Sequence, residues 1–487
     1  MKILFCGNYY VGQMLKYAGC DVFYVSGKNP DLSKIWENSD KKFDIVFIAE
    51  ELGKRKFPLN FERIPVKKVF YGIDVHLNYI WHKYYGKAFD VVFFTQKSFA
   101  EKGKREGLNS FWIPWGTETK FFKDYGLPKI YDISFCGKVN FYRLKRKKLL
   151  QRIAEKFEIK LFGTDDKERI NWETLGKIYN QSKIVINEAI LNELNFRVFE
   201  ATGSKALLLT EKLDGLEDIF EDKKEIIVFN PKNFLDLISY YLENDKERKE
   251  IAEMGYLRTH KEHTFEERGK KMREIIEKKD IKAIEEKEDV YLNLCKAYYF
   301  AALRKVAERE VLLKMALDAV QKSLKERRYE NLKWCGIINL AMGDINSAKL
   351  YLSMAKSEKR TFEIDFLLGF VKYKEKGFKY VKEYFESLTG NKFDDEVSFW
   401  LFLSNLFPHT RESLSIAGAD GVPLFSVDFL VIAAEKRGSG KLLRMIGDLF
   451  YKEGYYEPAL RYYLVAERMG EKMGDELTEC LFLNYFL

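Results

Sequence analysis

A change of rhythm part-way along the chain narrows the fold more than any single residue does. Through roughly the first 270 positions, short apolar runs alternate with helical patterns; beyond residue 290 only helical patterns remain. The early runs, Ile3–Cys6, Asp21–Val25, Asp44–Ala49, Lys68–Ile73, Val91–Thr95 and Phe111–Pro114, are rich in β-branched and aromatic residues. Most are continuous rather than alternating, the pattern of strands covered on both faces. With helical stretches such as Gly12–Ala18 and Gln96–Glu106 between them, they predict a βαβ series and a parallel, doubly wound sheet. Phe121–Lys129, containing Gly126 and Pro128, then reads as a linker. The series restarts with strand Tyr131–Cys136, a turn at Gly137, a helix over Arg143–Phe157, strand Ile159–Phe162, a polar loop from Gly163, and strand Lys183–Asn187. The expected architecture is α/β: two Rossmann-like domains, 1–125 and 126–280, across a cleft, followed by an all-α domain over 290–487.

Size and charge agree with several domains. At 487 residues the chain exceeds one ordinary domain. Its net charge of +8 comes from many Lys and Glu together, not from a basic block. That argues against nucleic-acid binding, with the run Arg143–Lys148 as the local exception. Six scattered cysteines without C-x-x-C spacing read as reduced thiols of a cytoplasmic protein. His260 and His263 lack a third ligand nearby, so no metal site is expected. No apolar run is long enough to span a bilayer; contact with a membrane surface stays open.

Glu274–Asp289 is dominated by Lys and Glu and reads as a charged connector. Beyond it, Gly336, Asn339, Gly343, Ala348, Leu352 and Ala355 fall at the same offsets as Gly447, Phe450, Gly454, Ala459, Tyr463 and Ala466. Gly369 and Gly377 mark a degenerate copy between them. Small residues at such offsets are where paired helices approach closely. The pattern resembles tetratricopeptide repeats, which stack into a curved surface for peptides or proteins; a generic helical bundle is the alternative.

The densest signal runs from Asn195 to Glu225. It reads as a helix, a small-residue turn, a buried strand at Ala206–Leu209, and a second helix ending in an acidic turn. Arg197 and Glu200 are three apart and share a helical face. Gly203 fits the left-handed position that closes a helix. A charged pair at a strand–helix junction of a parallel unit suits nucleotide binding and, equally, a surface ion pair.

Asn195, Arg197, Phe199, Glu200 and Ala201, then Leu207–Thr210, then Gly215, Leu216, Phe220, Glu225 and Phe229, carry a family likeness. They resemble the nucleotide-binding half of the CgeB-like (spore-maturation) glycosyltransferases, relatives of the group-1 family of GT-B fold. His263-Thr264-Phe265 with Arg268 resembles the close of the same domain. The likeness covers roughly residues 60–270. It implies transfer of a sugar from a nucleotide-diphosphate donor to an acceptor hydroxyl, leaning toward retention of configuration, with no cofactor besides the donor. It implies that Glu200 accepts hydrogen bonds from the ribose, a task suited to a carboxylate, and that Arg197 contacts phosphate or fixes Glu200. Asn195 opens the same motif. Eight positions before Glu200, where the group-1 family carries another glutamate, this chain has Asn192, with Glu193 one step off register.

Three further readings complete the expected site. No D-x-D stands at a strand end, so the departing diphosphate falls to Arg, Lys and helix N-termini. Arg143, after the strand and the Gly137 turn, fits that task; the alternative is one member of a solvated basic face with Lys145, Arg146 and Lys147. Gly163, at a strand's carboxyl end, borders the base. In the first domain Asp74 and His76 resemble a D-x-H stretch and hold or deprotonate the acceptor, unless Asp74 merely caps the next helix. The helical repeats would present a protein or peptide acceptor. A catalytically inactive scaffold is the competing function, prompted by Asn192.

Overall fold

The computed structural model describes residues 1–40, 42–51, 56–139, 144–164, 170–189, 191–278, 290–324, 328–472, 474 and 480. The first unit runs β1 (Lys2–Gly7), α1 (Tyr9–Tyr17), β2 (Asp21–Tyr24), α2 (Leu32–Glu37), β3 (Ile45–Ala49), β4 (Lys67–Gly72), α3 (Val75–Tyr85), β5 (Val91–Phe94), α4 (Lys97–Arg105) and β6 (Ser110–Trp112). Its sheet has the order β2-β1-β3-β4-β5-β6, every pair parallel. The second unit runs β7 (Tyr131–Cys136), α5 (Leu144–Ala154), β8 (Ile159–Phe162), α6 (Trp172–Asn180), β9 (Ser182–Asn187), α7 (Phe196–Gly203), β10 (Leu207–Thr210) and β11 (Ile227–Val228). That sheet is also parallel, in the order β11-β10-β9-β7-β8. Helices α8 (Phe234–Glu243), α9 (Asp245–Glu262) and α10 (Phe265–Glu277) close the second unit. The expected pair of Rossmann-like sheets is therefore present.

Successive side chains on a strand point to opposite faces, and here the alternation divides the molecule into three cores. Leu4, Val46, Phe70 and Val92 face outward into a core shared with the C-terminal helices. Ile3, Phe5, Phe47 and Tyr71 face inward into a core shared with Val185, Leu208 and Phe199 of the second unit. Ile184, Ile186, Leu207 and Leu209 face the far side of the second sheet, under α5, α8 and α9. Helix α10 returns to the first unit and lies against α1 so closely that a Cβ on Gly269 would meet the Met14 carbonyl oxygen at 1.9 Å. Arg273 donates to the Ala18 carbonyl (3.0 Å) and Lys67 to that of Ile276 (3.0 Å), fixing the return.

Two local expectations need correction. Gly203 is the last residue of α7, and the left-handed turn falls on Lys205 (φ +60°). Glycine is required at 203 for space: a Cβ would stand 2.9 Å from Thr117 Oγ1. After β10 the chain forms no second helix but a single 3-10 turn, Leu216–Asp218, entered through left-handed Gly215.

The C-terminal region is all helical: α11 (Val290–Leu303), α12 (Arg309–Ser323), α13 (Tyr329–Met342), α14 (Ile345–Glu358), α15 (Phe362–Lys376), α16 (Phe378–Thr389), α17 (Glu396–Leu406), α18 (Ser426–Arg437), α19 (Gly440–Lys452) and α20 (Tyr456–Arg468). A Cβ on Gly336 would lie 2.5 Å from Leu352, on Gly369 2.4 Å from Phe385, and on Gly447 2.5 Å from Tyr463. The contacted residue stands sixteen positions on each time, so three hairpins repeat one close approach. The connector beyond Lys278 lies outside the described residues. Its charge does not set the helices adrift: Tyr84 of α3 stacks on Phe300 of α11 (5.6 Å, 18°), and Phe57 meets Tyr298 edge-on (5.9 Å).

Candidate functional site

Parallel strands deliver their carboxyl ends to one rim, where open α/β sheets bind ligands. On the second unit this rim is organised by Asn187, the last residue of β9. Its Oδ1 accepts from Arg197 Nη1 (2.8 Å) and Asn195 Nδ2 (3.1 Å), and its Nδ2 donates to Thr210 Oγ1 at the end of β10 (3.0 Å). Arg197 also donates to the Cys136 carbonyl from Nε (3.1 Å) and Nη2 (2.6 Å), with its guanidinium 4.3 Å above the Phe135 ring. Gly137 (φ +145°) makes room for it, since a Cβ would stand 2.7 Å from Nη2. Gly137 N in turn donates to the Phe162 carbonyl, next to left-handed Gly163. The structure thus gathers Gly137, Gly163, Asn195, Arg197 and Glu200 at adjoining strand ends. Arg143 lies outside the described residues.

Glu200 is the odd member of this set. It is 7% exposed, and its carboxylate has no hydrogen bond among the described residues. Burial pushes its pKa up to about 7 against the pull of Arg197. Burying a carboxylate without donors is costly, and its proton is held more tightly for that reason. Tyr10, from the first unit, closes in from across the cleft. It stacks on Trp172 (4.3 Å, 16°), and its hydroxyl pKa is raised by burial and by the Glu200 charge.

The sequence did not reveal a second buried cluster on the same rim. Arg146 Nε meets Glu188 Oε2 at 2.6 Å, both side chains 6% exposed. Its other nitrogens donate to the carbonyls of Lys138 (3.0 Å) and Glu188 (3.3 Å). Lys145 pairs with Glu211, whose Oε1 also accepts from Ala189 N (2.7 Å). Burial raises the Glu211 pKa, opposed by Lys145. Lys145 and Arg146 are therefore not members of a solvated face. The available signal was position: Glu188 and Glu211 each directly follow a buried strand.

On the first unit Asp74 stands at the N-terminus of α3 with left-handed backbone (φ +47°, ψ +37°) and no side-chain capping bond. Capping, one of its two sequence readings, is not what it does. His76 is 5% exposed. Its backbone N donates to Gln96 Oε1 (2.9 Å), and its Nδ1 lies 3.3 Å from the same oxygen. That acceptor puts the ring proton on Nδ1, leaving Nε2 buried without a partner among the described residues. Burial lowers the imidazole pKa to about 4. Glu193 Oε2, from the second unit, reaches within 4.0 Å of His76 Nδ1. It arrives through two left-handed residues, Leu191 and Asn192, of which Asn192 is exposed. Glu193, one position on from Asn192, is thus the carboxylate of this segment that faces His76.

The His263–Arg268 motif is a tie between units. His263 Nε2 donates to the Ile219 carbonyl (3.1 Å) and Nδ1 accepts from Arg268 (3.1 Å), consistent with an imidazole pKa lowered to about 3 by burial and Arg268. Arg268 Nε donates to the Trp115 carbonyl (3.0 Å). Beside this tie opens a cavity of about 420 Å³, lined by Trp112, Asp218, Arg258 and Lys271 among others, which touches neither Glu200 nor His76.

Residues 145–276 match a protein family described as glycosyl transferase-like. None of the curated proteins matches the chain significantly. Several solved structures resemble it in part. Sucrose-phosphate synthase (tll1590) from Thermosynechococcus elongatus is 10% identical over 56% of this chain and 98% of its own, with a TM-score of 0.45. Anabaena HepE (Alr3699), solved with UDP and glucose, is 11% identical over 57% and 99%, with a TM-score of 0.41. T4 phage β-glucosyltransferase is 14% identical over 57% and 100%, with a TM-score of 0.41. No described helix is long and apolar enough to cross a membrane.

Proposed function

We propose that this chain is a metal-independent, retaining GT-B glycosyltransferase that moves a sugar from a nucleotide-diphosphate donor to an acceptor hydroxyl. The observation that carries the reading is Glu200: a buried carboxylate with no hydrogen-bond donor among the described residues, inside the segment that matches a glycosyl transferase-like family. A ribose offers two adjacent hydroxyls to such a group. Asn195 and Arg197 hold the strand ends that frame the nucleotide, Gly137 and Gly163 let it approach the backbone, and Arg143 meets the diphosphate. Lys145 and Arg146, its neighbours in the sequence, are paired with Glu211 and Glu188; an Arg suits the charge of the leaving diphosphate. Asp74 and His76 across the cleft, with Glu193 from the nucleotide side, surround the place where donor sugar and acceptor meet. The enzyme works in the cytoplasm, and its helical repeats present a protein acceptor.

Calorimetry with UDP, GDP, ADP and dTDP, each with magnesium and with a chelator, tests the reading. One nucleotide binds equally well in both conditions, and Glu200→Ala weakens it by about 1.5–3 kcal/mol, the scale of hydrogen bonds to a charged group. Failure of all four to bind the folded protein overturns it. The exposed Asn192 favours a second reading, a scaffold that binds nucleotide without turnover. Binding of one nucleotide with no hydrolysis or transfer of its sugars would select that reading.

A further inference from the structure

Helix α3 has no solvent side of any size: eight of its eleven residues are buried. A helix apolar nearly all round needs cover on both sides. One side lies on the sheet, where Trp81 meets Phe70 and Tyr79 meets Phe94. The other is covered by the helical domain, through α11, the 3-10 turn Arg411–Ile416, and Tyr455 immediately before α20. Only about 10 Å³ is left open where His76 faces Arg411, Ser415 and Tyr455, room for one water at most.

The domain also reaches the first turn of α3, the end that lacks a side-chain capping bond. Its first turn starts from left-handed Asp74 without a capping bond, so the turn must be held from outside. Gln96 holds it on the sheet side. On the other side the Tyr455 hydroxyl reaches the His76 carbonyl at 3.5 Å, and the Arg411 guanidinium sits 5.4 Å over the Tyr455 ring. Glu412, in the same turn, pairs with Lys102 of α4 and anchors the turn to the first unit.

We propose that the helical domain is part of the transfer site's framework, with Tyr455 and Arg411 as positioning residues that set the Asp74–His76 turn from behind. The claim rests on the reading of that turn as the acceptor side. Whatever engages the outer helices then also bears on the geometry at the cleft.

The chain has five histidines, so the full-length protein labelled with 15N-histidine gives a spectrum simple enough to assign, with His76→Gln identifying the signal. Tyr455→Ala should shift the His76 imidazole signal and leave His260 and His263 in place. The Leu77 and Asn78 amides, which bond the Asp74 carbonyl, should exchange about tenfold faster, the equivalent of one lost hydrogen bond. Tyr455→Phe keeps the ring under Arg411 but loses the hydroxyl, so it should show the faster amide exchange with a smaller shift of the His76 signal. Should Tyr455→Ala not fold, Arg411→Ala at an exposed side chain carries the same test. A folded variant with an unmoved His76 signal and unchanged amides overturns the proposal while leaving the transferase reading intact. Undiminished transfer by His76→Ala would instead remove His76 from the chemistry, and a shifted signal would still support the clamp.

Discussion

The outer faces of the two sheets start from the same alternation and end differently. The far face of the second sheet is sealed by helices of its own unit, with Leu149, Ile238 and Ile251 packed on Ile184 and Leu207. The far face of the first sheet is sealed by α3 and α4 and then, beyond them, by a separate helical domain reaching into the same core. A charged connector describes the chain between two regions, not the surfaces that they present to each other. The first sheet's far face is therefore incomplete without the C-terminal domain, whereas the second sheet's far face is closed by its own helices.

Removing residues 290–487 gives the largest effect. It exposes the outer sides of Phe57, Ile80, Trp81 and Tyr85, each worth about 2 kcal/mol, against a domain stability of roughly 5–15 kcal/mol. The truncated chain should lose near-ultraviolet circular dichroism and bind hydrophobic dye. A soluble fragment with a sharp melting transition would break the comparison.

Next comes Glu200→Gln, which tests the second unit alone. Below pH 4.5, the ordinary carboxyl value, folded and unfolded chains both hold the proton. From there up to about 7 the unfolded chain releases it while the folded one keeps it, so stability falls as pH rises, and the cost persists at higher pH. The glutamine variant should be more stable than wild type at pH 8, by up to about 3 kcal/mol, and indistinguishable at pH 4. Chemical denaturation at the two pH values reads this directly. Equal stability at pH 8 would mean that Glu200 has donors after all.

Gly369→Ala sharpens the same comparison from the helical side. Its Cβ must displace the Phe385 ring, an overpacking worth about 1–3 kcal/mol. Because the helical domain and the first unit share a core, they should still melt together. Two separated transitions in calorimetry would show the cores to be independent. The smallest effect is expected for Tyr10→Ala, which removes the stack on Trp172 across the cleft. About 0.5–1.5 kcal/mol is at stake, readable as an altered Trp fluorescence and a slightly lower melting temperature.

The strands were legible because most are apolar runs of β-branched and aromatic residues, and β7 and β8 keep the boundaries that the sequence suggests. Glycines misled where two causes leave one residue: a helix-ending Gly and a close-approach Gly look alike until Thr117 is found beside Gly203. The basic run looked solvated because the carboxylates that bury Lys145 and Arg146 arrive from Glu211 and Glu188, far along the chain. The motif singled out Glu200, but that its carboxylate meets no donor among the described residues shows only in the assembled rim. The meeting of Glu193 with His76 and of Tyr455 with the α3 turn depends on three segments that no local pattern connects.

The return of α10 has a mechanical consequence. The chain passes from the first unit to the second after β6 and comes back with α10, where Gly269 seats against α1 and Arg268 grips the Trp115 carbonyl beside the outgoing passage. Two crossings side by side act as a door hung on paired hinges. With two crossings pinned on one side, the halves are tied at that edge and cannot slide freely past one another.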